Sequence, residues 1–175
     1  MKDENPFVNI CDLKLKKIIQ KEIDFKFPLD KSFCLVKENC YVAGGIVDKE
    51  LTDKAWRVSF QGKTGSLCPM PVKKRWFPIT YNPTKNSLIT VGGQVSLYRN
   101  INETTIYSLE KDTWGALAPF PHQIRNSSLC VLNGKWLYNF GGIGSDRQVA
   151  RLSVTNENQA EKWNKIIIKD INLHP

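Results

Sequence analysis

Histidine is scarce, with only His122 and His174 in 175 residues. The five cysteines, Cys11, Cys34, Cys40, Cys68 and Cys130, form no C-x-x-C pair. No spacing therefore resembles a zinc site, and neither a metal nor a cofactor is expected. An odd, scattered set of thiols suggests buried, reduced side chains and a cytoplasmic protein. Long apolar runs are also missing. Ile166-Ile167-Ile168 is the longest aliphatic stretch, and the N-terminal Met-Lys-Asp-Glu-Asn leads into nothing of signal-peptide length, so a soluble chain with no membrane partner is expected. Without a leader, the N-x-S/T acceptors at Asn102 and Asn126 read as chance matches. Dinucleotide and phosphate loops, a nucleophile elbow and an H-E-x-x-H helix are all absent. Gly142-Ile143-Gly144-Ser145 is the nearest thing to a glycine-rich loop, but it opens no helix. Catalytic residues are not expected.

What is present describes a folded domain. A composition 41% hydrophobic and 24% charged is globular rather than disordered, and the length suffices for a sizeable core. The net charge of +8 favours loose attraction to acidic partners. The basic residues are spread along the chain, and only Lys14-Lys16-Lys17 and Lys73-Lys74-Arg75 are tight groups. Solubility is therefore the simpler reading of the charge, ahead of nucleic-acid binding.

A repeat organises the chain. Three Gly-Gly pairs, Gly44-Gly45, Gly92-Gly93 and Gly141-Gly142, lie 48 and 49 residues apart and use six of the 11 glycines. Each follows a short strand-like stretch: Tyr41-Val42-Ala43, Leu88-Ile89-Thr90-Val91 and Leu137-Tyr138-Asn139-Phe140. Trp114 and Trp163 each stand 22 residues beyond the first glycine of a pair. Pro69-Met70-Pro71 returns 50 residues later as Pro119-Phe120-Pro121, each followed by an arginine, Arg75 and Arg125. Further strands are expected at residues 32–36, 54–60, 76–81, 104–109, 127–132 and 150–154. Asn133-Gly134 reads as a hairpin turn in which both residues need positive φ.

This combination resembles the kelch repeat, over roughly residues 28 to 173. Ser66 stands where the first repeat should have its Trp, and the third lacks the proline pair after Trp163. The resemblance implies an all-β protein, a kelch-type β-propeller with about three full four-stranded blades (28–71, 72–121 and 122–175). Residues 1–27 would add a partial N-terminal blade, so that the whole is an arc or a fragment of a larger propeller. Within 1–27 the alternation at Ile19, Lys21, Ile23, Phe25 and Phe27 favours an outer strand pair, while Leu15, Ile18, Ile19 and Ile23 also share the face of an amphipathic helix.

The function implied is a non-catalytic protein-protein interaction module, a scaffold or the recognition part of an adaptor. The alternative is a structural subunit of a large RNA-containing or cytoskeletal assembly. Some kelch-type proteins are copper oxidases, but their metal is held by histidines and tyrosines, and two histidines supply it poorly. In such propellers the loops between the second and third strands and those between blades share one face. Mapped here, these loops are 46–53, 94–103, 143–149, 69–75 and 119–125. They nominate Lys73, Lys74, Arg75, Tyr98, Arg99, His122, Arg125, Asp146 and Arg147 for partner binding, since Arg and Tyr are frequent hot spots. Arg75 and Arg125 equally suit bridges between blades. Gly44, Gly45, Gly92, Gly93, Trp114, Gly141, Gly142 and Trp163 are the structural marks. The expected partner is another protein with an acidic surface. Self-association, or a partner that completes an open propeller edge, is the second expectation, and nucleic acid ranks lower.

Overall fold

The computed structural model describes residues 7–12, 17–22, 25–144, 148–155 and 162–166, with side chains from residue 25 onward. These residues are all-β, and every named strand pairs antiparallel with its neighbour in sequence or across a short ribbon. Strands β1 (Phe7–Asp12) and β2 (Lys17–Glu22) form a hairpin in which Phe7 faces Glu22 and Asp12 faces Lys17. Residues 17–22 are thus strand, not helix.

Three four-stranded meanders follow. The first holds β3 (Ser32–Val36), β4 (Asn39–Ala43), β7 (Ala55–Ser59) and β8 (Thr64–Leu67), with a small ribbon, β5 (Ile46–Val47) and β6 (Glu50–Leu51), between its second and third strands. The second holds β9 (Ile79–Asn82), β10 (Ser87–Ser96), β11 (Arg99–Ser108) and β12 (Thr113–Leu117). The third holds β13 (Ser128–Leu132), β14 (Trp136–Phe140), β15 (Val149–Ser153) and β16 (Asn164–Ile166). The first strands of successive sheets lie side by side, β3 against β9 and β9 against β13.

Local sequence explains the turns. Asn133 and Gly134 both take positive φ, 52° and 63°, and link β13 to β14 in the tight turn whose twist matches the strands. This turn packs closely on the second sheet: a Cβ at Gly134 would fall 1.7 Å from the Thr84 hydroxyl. The Asn82 amide also reaches the Gly134 carbonyl, at 3.4 Å. Two elements differ from the sequence reading. The strand expected at 76–81 begins only at Ile79, because Trp76 is left-handed at φ 56° and Pro78 cannot donate to a ladder. The loop expected at 94–103 is mostly strand, since β10 runs on through the glycine pair and stays paired with β11 across bulges at Val91/Gly93 and Gln94/Ser96.

The core lies in the seams between sheets. Val36, Leu88 and Tyr107, with Cys34, Ile79, Tyr81 and Trp114 packed against them, fill the inner part of the first seam. Ala43, Ala55, Met70 and Phe77 fill the part next to the glycines. The second seam holds Ile89, Val91, Phe120, Ile124, Leu137, Leu152 and Trp163. The glycines let the sheets close: a Cβ at Gly92 would sit 2.3 Å from the Ile124 carbonyl, and one at Gly44 2.4 Å from the Lys74 carbonyl. Cys40 is buried, which pushes its thiol up to about 11. Cys130 is exposed instead, because it sits on an uncovered face of β13. Among the described residues no helix is long and apolar enough to cross a membrane.

Candidate protein-binding face

At the glycine end, the segments joining sheets (68–78 and 118–127) interlock with the connections inside sheets. Three two-residue bridges repeat the same exchange of backbone hydrogen bonds. Leu29 and Ile46 pair at 3.0 and 2.7 Å, Arg75 and Gln94 at 3.0 and 2.8 Å, and Arg125 and Ile143 at 3.2 and 2.8 Å. The residue after each bridge, Asp30, Trp76 or Asn126, is left-handed, at φ 53°, 56° and 52°. That turn feeds the chain into the first strand of the next sheet. Asn and Asp adopt it readily, whereas an indole there is strained.

Trp76 is held by two guanidinium groups. Arg75 stacks on it at 3.7 Å from the ring centroid, and Arg125 lies 5.5 Å away. Arg75 also pairs with Asp30 at 3.0 Å and donates to the Gln94 amide oxygen at 2.9 Å. Arg125 donates to Asn100 at 3.0 Å. Both arginines therefore join neighbouring repeats. Arg75 spends two donors on these bonds, whereas the Arg125 Nε is buried with no partner among the described residues.

Lys74 departs furthest from the surface role read in the sequence. Its position faces the first seam, so it is 1% exposed, beneath rather than on the face. Its ammonium donates to the Thr90 hydroxyl at 3.0 Å, which in turn pairs with Thr105 at 2.8 Å, and it lies 4.7 Å over the Phe77 ring. Burial without a paired carboxylate among the described residues lowers its pKa from 10.5 to about 8, with Glu103 opposing the shift.

The rest of the face is open. Lys73 and Arg99 come together around a shallow depression of about 370 Å³ whose other walls are Val72, Val95, Ser96, Ile101 and Glu103. Arg99, Ile101 and Glu103 alternate on β11 and so share one side of it. Above it the β10–β11 tip projects Leu97 and Tyr98, the latter 92% exposed, with Gln94 bonded to the Leu97 carbonyl at 3.2 Å. His122 is exposed, and its ring meets the edge of Phe120 at 6.2 Å. Asp146 and Arg147 lie outside the described residues. Asp30, Trp76, Gln94 and Asn100 are not singled out by the sequence alone. Where a signal exists it is positional, Trp76 standing beside the repeated arginine and Gln94 directly after a glycine pair.

Neither a known protein family nor any curated protein matches this chain.

Proposed function

We propose that this chain is a non-catalytic protein-interaction module built from successive blades of a kelch-type β-propeller, serving as a scaffold or as the recognition part of an adaptor. Three observations support the architecture: meanders of four strands in strict sequence order, adjoining first strands, and glycine pairs that repeat at the seams. The binding reading rests chiefly on one, the exposed Leu97-Tyr98 tip above a depression flanked by Lys73 and Arg99. An exposed aromatic beside cations that form no ion pair among the described residues is the composition of a hot spot for an acidic protein surface.

Photo-crosslinking tests this reading. The full chain carries a crosslinking amino acid at Tyr98 in one preparation and at Lys37, in a strand turn of the opposite end, in another. Discrete adducts from position 98 that Arg99→Glu abolishes support the proposal. Adducts that form equally from position 37 would overturn it. A steep loss of capture with salt, together with RNA in the adduct, would favour an RNA-containing assembly instead.

A further inference from the structure

The three sheets carry equivalent positions, and several that are buried inside a seam are exposed where no neighbouring sheet is described. Val36 of β3 and Asn82 of β9 face the next sheet and are buried, whereas their equivalent in β13, Leu132, is 50% exposed. Ala43 and Val91 precede their glycine pairs and are buried against the following sheet, while Phe140, in the same place, is 41% exposed. No described atom comes within 4 Å of a Cβ built at Gly141, although the following sheet closes on Gly44 and Gly92. The third sheet thus ends in an uncovered, apolar half-seam that also includes Cys130 and Ile143.

The first sheet ends in the other half. Ile79 and Tyr81 of β9 face back onto the first sheet and pack against its core, and Leu129 and Val131 of β13 pack back onto the second. Their equivalents in β3, Phe33 and Leu35, are each 56% exposed. The large apolar side chain that enters each seam from the preceding connection, Met70 or Phe120, has a counterpart in Phe25, already seated on Trp56 at 5.6 Å.

We infer that the third sheet of one copy docks on the first sheet of a second copy, head to tail, forming a seam of the same kind as the two inside the chain. The occupant is a second copy because the two uncovered faces reproduce the two sides of an existing seam, apolar on both sides. Such a contact is heterologous, so it either closes into a ring or extends the assembly.

Inside the chain the Cys34 thiol lies against the backbone of Tyr81. The same register across the inferred contact puts Cys130 of one copy beside Leu35 of the next. The experiment is mild oxidation of the full-length Leu35→Cys protein, with light scattering of the wild type over a range of concentrations. The expected result is a covalent dimer or ladder that disappears in Leu35→Cys/Cys130→Ser, together with reversible association of the wild type. Leu132→Glu, an exposed change whose own fold is checked by circular dichroism, should weaken association at least about tenfold. A wild type that stays monomeric at submillimolar concentration, or a Leu35→Cys protein that crosslinks equally well without Cys130, would overturn the inference. Neither result bears on binding by the Tyr98 tip, which lies on a different surface.

Discussion

The indole nitrogen of Trp114 donates to the carbonyl of Cys68 at 2.9 Å, tying the second sheet to the end of the first. Trp163 makes the same bond to Ala118 at 2.9 Å, one repeat later. Asp112 reinforces the first tie. It accepts the Tyr107 hydroxyl and, at 2.8 Å, the Cys68 amide, and these bonds hold its carboxyl below the ordinary range. Trp114→Phe should keep the packing on Tyr107 but leave the Cys68 carbonyl without its donor. The expected loss is about 1–3 kcal/mol. Urea unfolding followed by circular dichroism measures it, and Trp163→Phe should fall in the same range.

Lys74 makes the first seam sensitive to pH. Its folded-state pKa, about 8, lies below the unfolded value of 10.5. Below pH 8 both states hold the proton, and the full burial penalty applies. Between the two values the unfolded chain binds more protons, so stability rises with pH, by about 3 kcal/mol in all. Other groups titrate in this window, so the comparison is with Lys74→Met. The variant should be the more stable protein at pH 7, and its advantage should vanish as pH approaches 10.5. An advantage independent of pH would mean that the folded protein holds the Lys74 proton as tightly as the unfolded chain does, with no depressed pKa.

Gly92 and Gly141 share one backbone conformation, φ 62° and 58°, in different surroundings. Alanine at either position carries the left-handed cost of about 1–2 kcal/mol. Only Gly92→Ala also drives a methyl into the Ile124 carbonyl. The thermal midpoint should therefore drop several degrees further for Gly92→Ala than for Gly141→Ala, and equal drops would remove close approach as the reason for the repeated pair.

The Arg75–Asp30 pair is partly exposed, so its coupling in a double-mutant cycle should not exceed about 1 kcal/mol and should shrink with salt. Arg75→Lys keeps the charge but loses the planar stack on Trp76 and the Nε bond to Gln94. It should cost nearly as much as Arg75→Ala in equilibrium unfolding.

Much of the fold is visible in the sequence because glycine pairs, the Asn-Gly turn and the tryptophans act through backbone conformation and size, which residue type alone encodes. Strands β3 and β13 lie where alternation and turn formers put them. The limits appear where tertiary packing overrides local preference. Trp76 is a strong strand former forced into a left-handed turn, and Lys74, which local charge assigns to the surface, is drawn into a seam because its repeat position faces the neighbouring sheet. The face was harder to read. Tyr98 and Arg99 stand out by breaking the repeat, but the depression beside them depends on Val72 and Ile101, which look like ordinary core residues until the hairpin and the connecting segment meet.

The turn at Gly134 is wedged against Thr84, so its length cannot change without disturbing two sheets. The opposite end is not bound in this way. The same connection carries an extra ribbon in the first repeat and a two-residue tip at Leu97-Tyr98 in the second. The Gly134 turn is thus a place where an insertion is forbidden, and the loop end one where insertions have already been absorbed, which makes the loop end the natural place for grafting foreign segments and the Gly134 turn the place to leave untouched.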